Sequence, residues 1–388
     1  MPKPGADFPH NPLIPVRGAR VSLGKPRNFP SFGWDNEYGR RDVDVQDFRA
    51  SRFKITNGEF LAFVRAGGYG QRRHWSADGW GWRTFRNAKW PTFWVPDGPA
   101  GLHRYRLRLL FDCVDMQWDW PVDCNYHEAA AFCSWLAERE GQQVGYRLVT
   151  EAEHVLMRDD EDRPDYWMMV GKGQVQQGQN GACTNGKAAN GAANGNGAAT
   201  NDAATAQDND APSMATPNAQ RYNLHLVHGS SSPVTDCPPT RHGFHDVFGN
   251  SWEWAEDHFA AFPGFRAHPY YEDFSAPCFA GLHQMILGGS FISTGQLASK
   301  FARYQFRPHF FQHATFRVVQ TAVAGVEAER GGEKERAVLE RVYGREAAAA
   351  FTPERPCVPF FETSCMDAAE PYVGDRPCCS KRERRTAR

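Results

Sequence analysis

The chain has 388 residues, of which 41% are hydrophobic and 23% are charged, and its 44 lysines and arginines nearly balance 45 aspartates and glutamates. The resulting net charge of -1 gives no electrostatic basis for binding nucleic acid or an anionic membrane, so we expect small-molecule or protein partners. No segment approaches the ~18 apolar residues of a membrane span, and the first residues lack a charged head followed by an apolar run. We therefore expect a cytoplasmic protein.

Ten cysteines raise the question of a disulfide framework. A chain with 12 tryptophans and 27 phenylalanines can bury enough apolar surface without such cross-links, and no CxxC pair indicates a zinc site. Cys113, Cys124 and Cys133 lie among apolar residues, and we expect them to fill small spaces in the core as free thiols.

Changes in composition along the chain predict one domain with two appendages. Hydrophobic and aromatic residues concentrate in residues 1–170 and 220–322, which we expect to form a single core together. Residues 171–219 repeat Asn, Gly, Ala, Gln and Thr, cannot offset their ordering entropy by burial, and are predicted to be a disordered insertion. Residues 323–388 are predicted to be a charged tail, partly helical or disordered.

Three helices are predicted from capping boxes, in which a short polar side chain stands three residues before a carboxylate and both satisfy free N–H groups of the first turn. These pairs are Thr56 with Glu59, Asn125 with Glu128, and Thr150 with Glu153. Elsewhere we expect short strands and long ordered loops. One strand is predicted where Trp252 and Trp254 flank Glu253 after a Gly-Asn turn. The fold class is therefore α+β, irregular, with few helices.

Several segments carry a resemblance to a known family. They are FGWDNE at 32–37, KITNGEFLAFVRAGGY at 54–69, WGWRTFRNAKWPTFWV at 80–95, WPVDCNYHEAAAFCSWL from residue 120, YRLVTEAE at 146–153, GNSWEW at 249–254, HPYYEDFS at 268–275, and LGGSFISTGQLASKFARYQFRPHFFQHATFR at 287–317. The chain resembles the sulfatase-modifying-factor family, the fold of the formylglycine-generating enzyme. Within that family it is most similar to the central domain of the 5-histidylcysteine sulfoxide synthases of ovothiol biosynthesis, and next to the ergothioneine sulfoxide synthases. The resemblance implies a C-type-lectin-like fold.

Formylglycine generation itself is not expected. In that enzyme two residues separate the Gly-Gly-Ser turn from a reactive cysteine, whereas this chain has Ser293 at that position. No cysteine lies between residues 287 and 317, so this segment offers no thiol nucleophile or copper ligand.

The sulfoxide synthases that the chain resembles couple a thiol to a histidine imidazole, using oxygen at an Fe(II) held by three histidines. Those ligands belong to a separate, DinB-like helical domain whose HxxxHxE pattern we do not find in this chain. The resemblance therefore implies Fe(II) on a separate domain or subunit, with cysteine and histidine as substrates. The resemblance is also compatible with a structural calcium ion near the turn formed by Gly249 and Asn250.

An alternative places a metal in the chain itself. His309 and His313 have the i, i+4 spacing of two ligands on one helical face. The strand-like FRVV that follows favours an extended segment instead, in which the two imidazoles lie ~13 Å apart. We therefore assign no metal ligands, and expect His309 to line a substrate pocket or to satisfy a backbone carbonyl.

Tyr271 is the candidate catalytic residue. In the related ergothioneine enzymes a tyrosine in this region gives a proton or hydrogen bond to the reacting oxygen, and the spacing of HPYYEDFS assigns that role to Tyr271. A phenol suits the role because it is neutral near pH 7 and releases its proton as charge develops on oxygen. The alternative is a tyrosine that only packs beside Pro269 and Phe274.

The candidate substrate-binding residues are Arg303, Tyr304, Gln305, Arg307 and His309. Ergothioneine enzymes carry an Asn-Trp-Asp triplet and a downstream arginine here, which bind γ-glutamylcysteine. The departure from that pattern favours free cysteine, with Arg303 or Arg307 pairing its carboxylate in a bidentate manner. Arginines with aromatic neighbours are equally known as structural stacking pairs.

These observations give two main hypotheses for function, beside a third in which the histidines above build a metal site and the chain is a self-sufficient oxygenase. The first is a substrate-binding module of an Fe(II)- and oxygen-dependent sulfoxide synthase that joins cysteine to histidine in ovothiol biosynthesis. We find neither an iron domain nor a glycine fingerprint of the methyltransferase that accompanies it in ovothiol synthesis. The second is a non-catalytic lectin-like binding module or a partner-dependent subunit.

Overall fold

A computed structural model of the chain describes residues 7–29, 32–141, 144–158 and 222–322. The predicted insertion at 171–219 and the predicted tail at 323–388 lie outside the described residues, and the proposed domain boundaries stay predictions.

Four α-helices occur within the described ranges. They are α1 (Asn57–Arg65), α2 (Ala77–Arg86), α3 (Tyr126–Arg139) and α4 (Glu151–Met157). All three predicted capping boxes are confirmed, at the starts of α1, α3 and α4, with both reciprocal hydrogen bonds present in each. Helix α2 was not predicted, and it begins after Ser76, whose side chain accepts a hydrogen bond from the N–H of Gly79. The third helical residue of α2 is a glycine, so no carboxylate completed the pattern.

The apolar faces of α1 and α3 meet in the main core. Phe60 and Phe63 of α1 are fully buried, and the ring of Phe60 stacks on Phe132 of α3 with centroids 5.4 Å apart. Cys124 and Cys133 are buried in this core as free thiols, as the sequence predicts, whereas Cys113 is a free thiol that is only half-buried and lies outside the core.

The strands are short, with two to seven residues each in this part of the chain. They are β1 (Leu13–Val16), β2 (Arg20–Leu23), β3 (Arg41–Asp44), β4 (Phe48–Ser51), β5 (Trp94–Pro96), β6 (Tyr105–Arg108), β7 (Cys113–Asp115), β8 (Val144–Arg147), β9 (Trp252–His258), β10 (Gln284–Leu287), β11 (Tyr304–Phe306), β12 (Ala314–Thr315) and β13 (Val319–Ala322). The few helices and short strands confirm the α+β class and the irregular lectin-like architecture.

Four small sheets join these strands. Two have four strands, in the orders β1-β4-β13-β8 and β11-β10-β9-β12, and the others are β5-β6-β7 and the pair β2-β3. Strand pairs are antiparallel except β12 with β9. The predicted strand after the Gly-Asn turn is confirmed as β9, and both of its faces are covered, because Trp254 and Glu253 are each fully buried.

The longest helix that the structure describes has 14 residues and carries charged side chains. Within the described ranges, no helix has the length and apolar character that a bilayer span requires.

Candidate functional site

Aromatic side chains from three separate segments meet at the end of β11. We call this cluster the aromatic wall, and it consists of Phe32, Trp34, His268, Tyr271, Phe274 and Tyr304. The ring of Phe274 lies at its centre, 4.5 Å from Trp34, 5.2 Å from Tyr271 and 6.2 Å from Tyr304 between centroids. Phe32 is 51% exposed and Tyr271 is 47% exposed, so the wall faces solvent although it is built from large apolar rings.

A buried carboxylate holds two of these segments together. Asp35 accepts hydrogen bonds from the hydroxyl of Ser275 and from the backbone N–H of His268, the latter at 3.1 Å. The side-chain amide of Asn36 donates to the same Ser275 hydroxyl at 3.0 Å. The FGWDNE and HPYYEDFS segments are therefore one structural unit. The sequence alone gives the polar residues of these two motifs no role, because their contacts span more than 230 residues of chain.

Tyr271 lies within the aromatic wall, whereas its neighbour Tyr270 points into solvent and is 92% exposed. The Tyr271 ring stacks on Phe274 and contacts Trp34 edge-on, with centroids 6.1 Å apart. The structure thus places Tyr271 in packing contact and also leaves nearly half of its surface open to a ligand. Its catalytic role stays a prediction.

Tyr304 and Gln305 are consecutive residues of β11, and both contact Phe274. Burial raises the pKa of the Tyr304 phenol, and the indole of Trp34 hydrogen-bonds it. Gln305 donates from its amide nitrogen to the carbonyl of Phe274 at 3.2 Å, which ties β11 to the tyrosine segment. The amide oxygen of Gln305 is buried and has no hydrogen-bond partner in the described ranges. A buried acceptor without a protein partner is satisfied by water, by an ion or by the donor of a ligand.

Arg303 lies behind the wall and is 3% exposed. Its Nε donates to the carboxylate of Glu151 at 2.7 Å, and Nη1 and Nη2 donate to the carbonyls of Asn36 and Ala260 at 2.8 and 3.0 Å. The guanidinium also lies 4.0 Å from the ring centroid of Phe262. Arg303 therefore joins α4 and the FGWDNE segment to β11, and its donors are engaged within the chain.

Arg307 has the opposite environment. It is exposed, and it makes no ion pair with any residue that the structure describes. His309 is also exposed and stacks on Phe310, with centroids 4.9 Å apart. Burial and, after it, the charge of Arg307 lower the pKa of His309, which favours the neutral imidazole. Of the two arginines proposed to bind a carboxylate, Arg307 is the one whose charge is available.

The HFFQH segment forms neither a helix nor a strand. His313 lies between the rings of Phe93 and Phe291, and its Nδ1 is 3.0 Å from a carboxylate oxygen of Asp123. His309 does not share these neighbours, so the helical pairing of the two histidines is wrong, and the extended spacing offered against it is not observed either. Among residues 7–29, 32–141, 144–158 and 222–322, no three histidine, cysteine or acidic side chains are arranged to hold a metal ion. These residues do not fit Fe(II), and we derive no chemical step through it.

A cavity of about 330 Å³ lies on the other side of Arg303, beside α4. Its charged lining includes Glu151, Arg158, Lys300 and Arg303, of which Glu151 and Arg303 pair with each other. No residue of the aromatic wall lines it. We place the candidate site at the wall because the exposed Tyr271 and the side chain of Gln305, whose amide oxygen is buried without a partner in the described ranges, both contact Phe274 there.

An α+β fold of short strands that presents an aromatic wall on long loops defines a lectin-like binding or catalytic domain. The chain matches the model of the sulfatase-modifying factor enzyme 1-like domain over residues 3–322 and belongs to that family.

Three known relatives are hercynine oxygenases. Identity is 40% over 124 residues with that of Mycolicibacterium thermoresistibile, covering 31% of this chain and 24% of the relative. It is 28% over 298 residues with that of Mycolicibacterium smegmatis, covering 74% and 56%, and 29% over 258 residues with that of Mycobacterium tuberculosis, covering 66% and 48%. The second and third matches cover most of this chain. Because they cover only about half of each relative, the chain spans about half the length of these two relatives.

Solved structures of similar shape include PvdO from Pseudomonas aeruginosa, with a TM-score of 0.45 and 16% identity over 79% of this chain and 93% of that one. Another is variable protein 1 of Treponema denticola, with a TM-score of 0.43 and 14% identity over 80% and 94%.

Proposed function

We propose that the chain is the substrate-binding module of a sulfoxide synthase that joins cysteine to histidine in ovothiol biosynthesis, and that cysteine binds at the aromatic wall. The observation that carries the proposal is that three candidate residues, the exposed Tyr271, Tyr304 and Gln305, each contact Phe274. That surface is built from the same segments on which the family resemblance rests. The similarity to hercynine oxygenases supports a thiol-imidazole coupling activity in an assembly that contains this domain.

Each candidate side chain is given a role toward a free amino acid thiol in this proposal. Arg307 would pair with the cysteine carboxylate, because its guanidinium is exposed and makes no ion pair in the described ranges. The buried oxygen of Gln305 would accept a hydrogen bond from the cysteine ammonium group. Tyr304 and His309 would line the pocket, and Tyr271 would give a hydrogen bond or proton to the reacting oxygen.

Arg303 would support the site by holding its segments in position. Its contacts with Glu151 and Asn36 fix the FGWDNE segment against β11, and this segment carries Trp34 and Asp35. The iron that such a reaction needs would be supplied by a separate DinB-like domain or subunit, which the resemblance implies. The residues that the structure describes contain no set of ligands that would hold the iron instead.

Binding of cysteine to the wall can be measured directly. We would label the tryptophan indoles with ¹⁵N, assign the signal of Trp34 with a Trp34→Phe variant, and titrate L-cysteine, L-serine and γ-glutamylcysteine. The Trp34 indole is a suitable reporter because it hydrogen-bonds Tyr304 within the wall. We expect cysteine to shift this signal and Arg307→Met to weaken cysteine binding about tenfold, which corresponds to the loss of one charged hydrogen-bonded pair.

The outcomes separate the two hypotheses. A signal that responds to cysteine and not to serine supports the thiol site. A signal that ignores thiols but responds to neutral sugars favours the non-catalytic lectin-like module. No response to cysteine at concentrations up to tens of millimolar contradicts the proposal.

A further inference from the structure

A lysine is fully buried at the start of the segment that leads into α1. Lys54 has no exposed surface, and its ammonium group donates to the backbone carbonyls of Gly249 and Ser251, the first at 3.2 Å. Burying an ammonium group is costly unless charge and hydrogen bonds compensate it. The surroundings of Lys54 must therefore be built to hold a cation.

The turn that presents these carbonyls is unusual in its backbone. Gly249 and Asn250 both have positive φ, of 75° and 62°. A Cβ atom at position 249 would lie 1.6 Å from the carbonyl oxygen of Tyr222, so only glycine fits there. The Asn250 side chain accepts from the N–H of Ser232 and donates to its carbonyl, at 2.9 and 3.1 Å. The turn is thereby fixed with two carbonyl oxygens facing the ammonium group.

Two buried carboxylates interact electrostatically with the same ammonium group, Asp246 and Glu253. One oxygen of each lacks a hydrogen-bond partner in the described ranges. The other oxygen of Asp246 accepts from Asn250 at 2.9 Å, and that of Glu253 accepts from Arg317 at 3.3 Å.

Charge is balanced within this cluster. Lys54 and Arg317 supply two positive charges against the two carboxylates. Burial lowers the pKa of Lys54 to about 8 and raises that of Asp246 to about 6, so both groups are ionised at pH 7. A divalent ion added to the cluster would leave two buried positive charges without counterions.

Two carbonyls and two carboxylates are the oxygen ligands that calcium prefers in proteins. The ammonium group of Lys54 takes the space and the hydrogen-bonding capacity of the carbonyls, so this turn does not fit calcium while Lys54 is present. We propose that Lys54 takes the place of a structural divalent cation, holding the turn of residues 249–251 as an internal, covalently attached cation.

The turn that Lys54 holds is connected to the aromatic wall through the sheet. The turn leads directly into β9, β9 pairs with β10, and β10 pairs with β11, which carries Tyr304 and Gln305. The structure of the wall would then be independent of calcium. This inference concerns the frame of the domain and stands whether or not the wall binds cysteine.

The test removes the ammonium group and offers calcium in its place. We would measure the melting temperature of the full-length wild type and of Lys54→Ala, Lys54→Gln and Lys89→Ala, each in EGTA and in millimolar calcium. Lys89 is an exposed lysine and serves as the matched control. We expect wild type and Lys89→Ala to melt at the same temperature in both conditions. We expect Lys54→Ala to melt lower in EGTA and to gain about 5 °C or more when calcium exceeds its Kd a hundredfold.

The measurements on the wild type and those on the Lys54 variants can each contradict the proposal. Wild-type protein that retains one equivalent of calcium after desalting, or melts lower in EGTA, contradicts it. So do Lys54 variants that fold but show no response to calcium. If the variants are insoluble in EGTA, refolding with millimolar calcium decides the matter: recovery of soluble protein supports the proposal, and failure with both variants contradicts it.

Discussion

Replacing Arg303 by methionine distinguishes a framework arginine from a substrate-binding one. Methionine keeps an unbranched apolar side chain in place of the buried stem and removes the guanidinium. The Glu151 carboxylate then loses its contact at 2.7 Å, and the carbonyls of Asn36 and Ala260 lose donors at 2.8 and 3.0 Å.

The expected loss of stability follows from these contacts. Removing one partner of a buried ion pair costs about 3–5 kcal/mol, since the other charge stays buried. Arg41 remains 3.5 Å from Glu151 and moderates that cost, while two carbonyls left without donors add about 1 kcal/mol each. We expect Arg303→Met to lower the free energy of unfolding by about 4 kcal/mol, and Arg307→Met to change it by less than about 0.5 kcal/mol because Arg307 is exposed.

Urea denaturation followed by tryptophan fluorescence measures both variants. The order of the two positions is reversed for cysteine binding. Arg307→Met is expected to weaken cysteine binding. Arg303→Lys keeps the buried charge but loses the planar guanidinium, and it is expected to retain cysteine binding and part of the stability. If Arg303→Met unfolds within about 1 kcal/mol of the wild type, the framework role is refuted. Loss of cysteine binding in a stable Arg303→Met protein would restore the substrate role.

Three further predictions address the site and its frame. In an assembly that contains the iron-bearing partner, Tyr271→Phe is expected to lower sulfoxide formation by about 100-fold relative to uncoupled cysteine oxidation, whereas Tyr270→Phe leaves the product ratio unchanged; mass spectrometry of the products checks both. Asp35→Asn removes a charged acceptor and is expected to lower the free energy of unfolding by about 1–2 kcal/mol. The same change is expected to shift the Trp34 indole signal, and an unshifted signal would show that Asp35 does not position the wall. Burial lowers the pKa of His313 but the hydrogen bond and charge of Asp123 outweigh it, so the net pKa is raised above 6.5. The stabilisation from this pair is therefore present below pH 6.5 and lost as pH rises through the folded-state pKa; urea midpoints of wild type and Asp123→Asn should differ more at pH 6 than at pH 8.5, and an equal difference at both would contradict the assignment.

The parts of the fold that sequence reasoning predicted are those set by local chemistry. A capping box is complete within four residues, so Thr56, Asn125 and Thr150 identified their helices. Helix α2 starts at Ser76 without a carboxylate partner and contains two glycines, and its formation depends on packing against α3 that no local pattern reveals.

The candidate site shows the limit of the same reasoning. The sequence identified Tyr271 and the residues around β11, but it offered Arg303 and Arg307 as equivalent candidates. Their difference depends on Glu151 and Asn36, which lie 152 and 267 residues away along the chain. Only the fold brings these groups within hydrogen-bonding distance of one arginine.

We propose that this chain binds the thiol in an assembly that makes a cysteine-histidine sulfoxide. The most direct test is to capture the endogenous protein with an antibody against this chain and to supply the captured material with Fe(II), oxygen, cysteine and histidine. We predict formation of the sulfoxide, with free cysteine preferred over γ-glutamylcysteine and histidine preferred over hercynine. Captured material that contains the protein and iron but forms no sulfoxide from either pair of substrates would contradict the claim.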